Sequence, residues 1–568
     1  MTEQYTPPVL APKLGEGEES GSYREWCELR EQQAPEKYLL RNHSSLLFSI
    51  VVPVHNPLDH WLQECIDSVR GQFFADWELI LADDASEQNT LDILKKNQEL
   101  DSRVKISLQS EASGISATTN RAADLAKGEF LVFLDHDDLL DAYALSAFAQ
   151  DLQKKPETEL LYSDEDRFDD DYQRLQPGFK PQFSLEKLLC TNYIHHPVVI
   201  RRTLFTKIGG LNSQYDGSQD YDLLLRAIEE TTKIRHIPDI LYHMRIHSGS
   251  LASGAEAKPD AHKKGIDAVN AYFKRQQLDA VIKPAAFAGY HNITYPFKKR
   301  PQTSILVLVN QQTSIEATQL IWQQHIDDEI LICNDISKTI PVRLNGLAKK
   351  AQGDILIFAD GQLRPEPNCI NELIGQSIHG NTGLVTGKLS YSDGKLFSCG
   401  LILGIKGCAG QWHFSCDADD LGYGAWMAIN HEVSAVPWQL MAVKKELFIQ
   451  AGLFDCNYKK QGFDTNLALQ LSTNTNIKHK FSALSKATYP SPCSRQTESW
   501  QLQDFILIRN NWKGEFTQTD PFFNPNLSIL NNSITFMSAT EQWYKKIGTF
   551  TSYDYLSTKL LWKFFYEK

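Results

Sequence analysis

At 568 residues the chain is longer than one hydrophobic core serves, so two large domains with appendages are expected. With 42% apolar and 22% charged residues it belongs with ordinary folded proteins rather than disordered chains. A net charge of −13 opposes a phosphate backbone and argues against nucleic acid as the main partner.

Residues 1–20 are polar, contain Pro7 and Pro8, and hold no apolar stretch of signal-peptide type. They read as a flexible lead, and 21–45 as a short helical approach. Ten cysteines without a C-x-x-C pair signal neither a zinc site nor a disulfide framework, and buried reduced thiols are expected. No run reaches the ~20 apolar residues that span a bilayer. A cytoplasmic protein is the expectation.

Phe48-Ser-Ile-Val-Val-Pro-Val-His-Asn56 is an apolar run ended by turn-formers, the signature of a buried parallel strand. Apolar positions at helical spacing follow at Trp61, Leu62, Cys65, Ile66 and Val69. A second strand, Glu78–Ala82, closes on Asp83-Asp84-Ala85-Ser86, and a third, Phe130–Leu134, closes on Asp135-His136-Asp137-Asp138. Strand–helix–strand alternation predicts a mostly parallel sheet, in which ligands bind beyond the carboxyl ends of the strands. Both acidic clusters lie at such ends.

The chain also repeats itself. Phe48–Val54 matches Thr303–Val309, Glu78–Ser86 matches Glu329–Ser337, and Gly128–Asp135 matches Gly353–Asp360. Arg201–Leu211 matches Lys444–Leu453, read as one glycine shorter in the second copy. Two α/β domains of one design are expected, joined near the Pro- and Lys-containing stretch 285–301. The copies are unequal. Asp84 and Asp135 are 51 residues apart, Asp335 and Asp360 only 25, so about half of that segment is missing from the second copy.

Asp135-x-Asp137 at a strand end puts two carboxylates within reach of one Mn²⁺ or Mg²⁺, which would complete its shell with phosphate oxygens and water. An isolated D-x-D also reads as a solvated turn or helix cap. The surrounding residues extend the signal. Ser49–Asn56, Leu81–Ser86, Asn120 with Gly128-Glu129, Phe133–Asp138, Tyr162-Ser-Asp-Glu-Asp166, Phe179-Lys-Pro181, Gly217–Asp222 and His236–His247 together resemble the inverting family-two glycosyltransferases of the GT-A fold. The closest type is that of bacterial O-antigen and capsule enzymes, including rhamnosyltransferase-like members. The resemblance covers roughly 45–275 and recurs with damaged motifs from about 302 to 500.

It implies a tandem GT-A architecture: an extension over 1–45, a catalytic domain over 46–285, a degenerate copy over 302–520 and a tail over 521–568. It implies a nucleotide-sugar donor, with UDP favoured as the commoner nucleotide, and a surface-glycan acceptor that can be lipid-linked. Pro53, Val54 and Asn56 would frame the base, and Asp84, supported by Asp83, would bond base or ribose. Asn120, His136, Asp164 and Glu165 fall on the donor side, although 164–166 also reads as a solvated turn. Asp137 would be the principal metal ligand, with Asp135 on the ion or the sugar and His247 as third ligand in competition with His243. Asp220 matches the family's catalytic base, and Asp222 reads as a helix N-terminal charge. Lys180 and Arg245 would pair with diphosphate or shape the pocket.

In the second copy Asp335 matches Asp84 and Asp464 matches Asp220, but Gln362 replaces Asp137. A neutral amide is a poor partner for a dication, so a non-catalytic module is expected there, a bifunctional chain being the alternative. The rivals are a sugar-nucleotide pyrophosphorylase, for which Pro53–Pro57 lacks the Gly-rich basic loop, and a non-catalytic glycan-binding protein. The aromatic, lysine-rich stretch 543–568 reads either as a helix lying in a membrane interface or as one docked on the second domain.

Overall fold

The computed structural model describes residues 11–12, 22–38, 47–247, 259–285, 289–309, 314–322, 327–474, 476–494, 500–512, 514–515, 520–529 and 536. The proposed interfacial stretch 543–568 lies outside them. Contacts divide the chain into two units, one of Met1–Phe183, Asn192–Leu278 and Phe287–Gly289, the other of Ser184–Thr191, Asp279–Ala286 and Tyr290–Lys568.

In the first unit a helix α1 (Tyr23–Tyr38) precedes β1 (Phe48–Val54), α2 (Asp59–Arg70), β2 (Trp77–Asp83), α3 (Gln88–Leu100), β3 (Val104–Ser107), α4 (Ile115–Leu125) and β4 (Phe130–Phe133). These are the strand–helix alternations expected from the apolar runs. β1 lies between β2 and β4, parallel to both, with Phe48 opposite Trp77 and Phe130. The sheet continues through β5 (Leu160–Phe168), β6 (Gln173–Gly178), antiparallel β7 (Val198–Arg201) and β8 (Ile234–Arg245), in the order β6-β5-β7-β4-β1-β2-β3 with β8 parallel to β5. Phe48 packs edge-on against Phe74 and Phe148 in the core.

The helical approach is built into this unit by charge as well as by apolar contact. Trp26 meets the Phe179 ring edge-on at 4.9 Å. Buried Arg30 grips both oxygens of Asp141 at 2.7 and 2.8 Å and Asp239 at 3.0 Å, while the Tyr38 hydroxyl donates to Asp239 at 2.6 Å.

The second unit repeats the plan. β9 (Thr303–Leu308) lies between β10 (Glu329–Cys333) and β11 (Ile355–Asp360). After α5 (Ile340–Ala348) before β11 and α6 (Cys369–Ile378) after it, the sheet runs β10-β9-β11-β13-β12-β14, with β12 (Thr382–Tyr391), antiparallel β13 (Leu440–Lys444) and β14 (Lys478–Tyr489). Strand for strand this is β2-β1-β4-β7-β5-β8. The missing segment is the counterpart of α3 and β3, so β10 is an edge strand where β2 is an inner one.

A shared lock holds each copy. Ser49 Oγ donates to Glu78, accepts the Gly128 amide at 2.8 Å, and Glu78 also takes the Lys127 amide. Ser304, Glu329, Gly353 and Gln352 repeat every bond. A side chain at either glycine would strike backbone: a Cβ at Gly128 would lie 2.7 Å from Ser49 N, and one at Gly353 2.5 Å from Ser304 N.

The structure corrects one expectation. The second copy does not lose a glycine at Arg201–Leu211. Leu453 stands in the place of Gly210, at φ +70° against +68°, after Gly452 and Gly209 at +88° and +82°. The registers match without a gap, so Leu211 corresponds to Phe454, and each has its backbone N–H and C=O clasped by one amide side chain, Asn120 or Asn345.

A second departure concerns the segment Ser184–Thr191, which lies inside the first repeat in sequence yet clusters with the second unit. Ser184 caps the short helix Leu185–Cys190 and bonds Glu432, while Glu186 pairs with buried Lys480. Among the described residues no helix is long and apolar enough to cross a membrane.

Candidate glycosyltransferase site

The carboxyl ends of β1 and β4 open on a narrow cavity of about 40 Å³, lined among others by Pro53, Asp135, His195, His196 and Asp220. Asp135 and Asp220, 85 positions apart in sequence, thus share one cleft, with Asp135 just beyond β4 and Asp220 in the first turn of α7 (Gln219–Glu230). The next carboxylate on that helix has the structural role expected of it: Asp222 is buried and pairs with Arg226 at 2.6 Å. Asp220 accepts from the Asn192 amide at 2.8 Å, which orients its carboxylate.

The Asp135–Asp138 turn is tied down by its last member. Buried Asp138 accepts from Tyr242 Oη at 2.7 Å and from the Arg245 amide at 2.8 Å, both on β8. Arg245, almost wholly buried, donates to the Asp137 carbonyl and to Glu64, so it shapes the turn. Burial, with the charges of Asp137 and Asp135, pushes Asp138 well above the usual carboxylate range. Asp135 keeps 44% of its side chain exposed in the cleft, yet restricted solvation and neighbouring Asp137 raise it to about 6. Such crowded negative charge is what a cation would relieve.

Asp137 and His247 meet at 2.9 Å, whereas His243 is buried against Asp166 at 2.6 Å and serves the structure. Among the described residues no group of three or more His, Cys, Asp or Glu side chains converges tightly enough to enclose a metal. A site of one or two carboxylates plus one imidazole, open to diphosphate oxygens, still fits Mg²⁺ or Mn²⁺, which rarely take an all-protein cage.

At the end of β2, Asp84 is nearly buried. Burial alone would raise it, but the Ser113 and Gly114 amides at 2.7 and 3.0 Å hold it below the usual range. These donors belong to the loop between β3 and α4, the region missing from the second unit. Asp83 is fully buried and accepts from the Ser86 amide at 3.2 Å. Asn56, at φ +43°, is exposed and accepts from the Glu87 amide, and His136 contacts the Pro53 carbonyl at 3.0 Å. Val54 is fully buried and faces the core. Asn120 spends both ends of its amide on Leu211. Asp164 is fully buried, accepting from the Lys180 amide at 2.8 Å and contacting His236 at 2.7 Å, so it does not face solvent.

Glu165 stands behind the cleft, reached by Lys180 Nζ and the His196 amide, each at 3.0 Å. Against the upward push of burial, Lys180 and His195 hold it well below its usual range. The sequence reading passed over His195 and His196, whose only signal is an adjacent pair before Pro197. Burial alone would lower His195, but Glu165 at 3.5 Å, with Asp220, raises it. Burial, with the charge of His195, pushes His196 down to about 3. The two adjacent imidazoles are thus pushed in opposite directions, and His196 lies 3.6 Å from Asp135 and stacks on Tyr242.

Residues 49–209 match the model of the glycosyl transferase family 2 domain. The O-antigen biosynthesis protein RfbC of Myxococcus xanthus is 29% identical over 565 residues, 92% of this chain and 43% of that protein. A PGL/p-HBAD biosynthesis glycosyltransferase of Mycobacterium tuberculosis is 31% identical over 197 residues, 34% of this chain and 74% of that protein. The crystal structure of S. aureus TarS 1–349 with UDP-GlcNAc is 19% identical, with a TM-score of 0.34, covering 40% of this chain and 66% of that one. The chain spans 43% and 59% of the two curated relatives that it matches along most of its own length. The stretch that carries β1 through β7 and the Asp135 turn is also the stretch that the family model matches, and the chain belongs to glycosyl transferase family 2.

Proposed function

We propose that the first unit, within the catalytic domain taken as 46–285, transfers a sugar from a nucleotide-sugar donor to a hydroxyl of a surface glycan with inversion. The reading is carried by Asp135 and Asp220 lining one cavity at the strand ends. Asp220, oriented by Asn192, takes the acceptor proton as that oxygen attacks the anomeric carbon. The new C–O bond forms as the bond to the phosphate oxygen breaks, and its electron pair leaves with the nucleoside diphosphate. Pro53 and Asn56 frame the base, and Asp84 bonds base or ribose. Asp137 and His247, with Asp135, would hold Mn²⁺ or Mg²⁺. Such an ion neutralises charge on a diphosphate leaving group. His195 and His196 line the sugar side, with Glu165 fixing their orientation.

UDP is the first donor nucleotide to test, and an O-antigen or capsule chain the first acceptor, as the name of the Myxococcus relative suggests. A cytoplasmic placement at the inner membrane face, reached through 543–568, belongs to the same proposal.

The test is nucleotide release from UDP-, dTDP- and GDP-sugars with Mn²⁺, with and without a lipid-linked acceptor fraction. Asp220→Asn is expected to lower turnover by about 10²–10⁴-fold while donor binding persists. Asp137→Ala is expected to abolish metal-stimulated turnover, and Gln362→Ala to keep it. Full turnover by Asp220→Asn would overturn the assignment of the base.

A further inference from the structure

The second unit holds a far larger cavity than the first, about 690 Å³, at the ends of β9 and β11 where the first unit places its reaction cleft. That size is typical of small-molecule sites, which run at about 300–1,000 Å³. Its wall carries the rings of Tyr391, Trp438, Tyr489 and Trp500. Tyr391 and Tyr489 lie 5.8 Å apart and tilted by 32°, with Phe397 edge-on to Tyr489 at 5.3 Å. The lining also includes Gln362, Gln411, Gln439 and Gln461, the last accepting the Gln501 amide at 3.0 Å, and the carboxylates of Asp360 and Asp464.

This composition differs from the first cleft in a definite direction. Gln362 stands where Asp137 would be, so the carboxylate that meets His247 in the first unit has a neutral amide as its counterpart. The nucleotide wall is absent as well: the counterpart of α3, β3 and the loop that clasps Asp84 is missing, and Asp335 instead pairs with its neighbours Ser337 and Lys338. Asp464, in the place of Asp220, has both oxygens engaged by the backbone amides of Trp438 and Thr465 and is nearly buried, with burial raising it to about 6. Buried Arg343 donates through Nη2 to the Val309 and Cys333 carbonyls. Lys460 is the other cation of the lining, and the two cations face two carboxylates, Asp360 and Asp464, so the site has no excess of basic side chains for a diphosphate. It offers amides that both donate and accept, together with flat apolar faces.

From this we infer that the cavity of the second unit binds a neutral oligosaccharide without metal: the C–H faces of pyranose rings lie on Tyr391 and Trp500, and ring hydroxyls exchange hydrogen bonds with the glutamines and Asp360. This holds whether or not the first unit turns over. A sugar has both a hydroxyl edge and an apolar face, and a wall that holds both amides and aromatic rings complements both.

The test is binding of the full chain to an array of defined neutral and acidic bacterial oligosaccharides, followed by calorimetric titration of the strongest binder. Neutral oligosaccharides are expected to be retained equally in EDTA and in Mn²⁺, and equally by Asp137→Ala. Trp500→Ala and Gln362→Ala are each expected to weaken binding by about tenfold while turnover at the first unit persists. Gln362 is only half-buried, so its variant separates a lost contact from a lost fold. Failure of every neutral oligosaccharide to bind, a requirement for divalent metal, or unchanged affinity in both variants would each overturn the inference.

Discussion

Replacing Arg30 by methionine tests whether the N-terminal helix is locked on by buried charge. The Arg30 side chain is 8% exposed, and its partners Asp141 and Asp239 are 10% and 2% exposed, so solvent screens this cluster little. Methionine keeps much of the volume but leaves two carboxylates short of their main counter-charge. Lys37 and Tyr38 still reach Asp239, and His243 lies 3.7 Å from Asp141. Breaking a buried pair from one side costs about 3–5 kcal/mol, and the remaining partners place the expected loss near 3 kcal/mol at pH 7.5. The pH dependence has a definite sign. Burial would raise both carboxylates, but Arg30 holds them below the unfolded value near 4, so their stabilisation is present above that pH and lost as pH falls. In the variant they protonate more readily, and the gap to wild type should narrow between pH 7.5 and 5. Urea unfolding followed by circular dichroism at both pH values measures this. A loss under about 1 kcal/mol at pH 7.5, or a gap that widens on acidification, would refute the reasoning.

Glu372 supplies the opposite sign. Burial, only partly offset by Lys283, pushes it up to about 7, so its contribution is full below about 4.5 and lost as pH rises through 7. Glu372→Gln should therefore be more stable than wild type at pH 8, by about 1–3 kcal/mol after allowing for screening, with the gap closing by pH 5 in thermal melts. Wild type being the more stable at pH 8 would count against it. Gly128→Ala and Gly353→Ala should each destabilise by about 1–3 kcal/mol, because the new methyl meets backbone that cannot swing away. Chemical denaturation reads both, and a neutral result at either would mean that the lock is looser than its geometry.

The parallel core was legible because β1, β2 and β4 are near-continuous apolar runs closed by acidic turns, and a strand buried on both faces has no other pattern. Asp135 and Asp137 are placed by the same strand ends, whereas Asp220, in the first turn of the helix Gln219–Glu230, is marked only by the family resemblance. What stayed illegible was polar burial. The stretch 164–166 reads either as lining the donor side or as a solvated turn, yet Asp164 and Asp166 are fully buried because His236, His243 and Arg174 reach them from other strands. Arg30 gives α1 the look of a surface helix, since its partners lie over 100 positions away. Asn120 resembles a ligand group until its matching bonds to Leu211, and those of Asn345 to Phe454, expose it as a clasp. The equal length of the two turns shows only in the shared positive φ of Gly210 and Leu453, which the change from glycine to leucine conceals in the sequence.

The Ser–Glu–Gly lock, present twice in one chain, separates what the architecture requires from what the reaction requires. The second copy has lost a strand, a helix and an acidic motif, yet every bond of the lock persists between Ser304, Glu329 and Gly353. Folding therefore makes no claim on the strand-end chemistry. The frame is held by bonds at the amino ends of the strands, away from their chemistry-bearing ends, and Gln362→Asp would place a carboxylate on a turn already held by the Asp360 side chain.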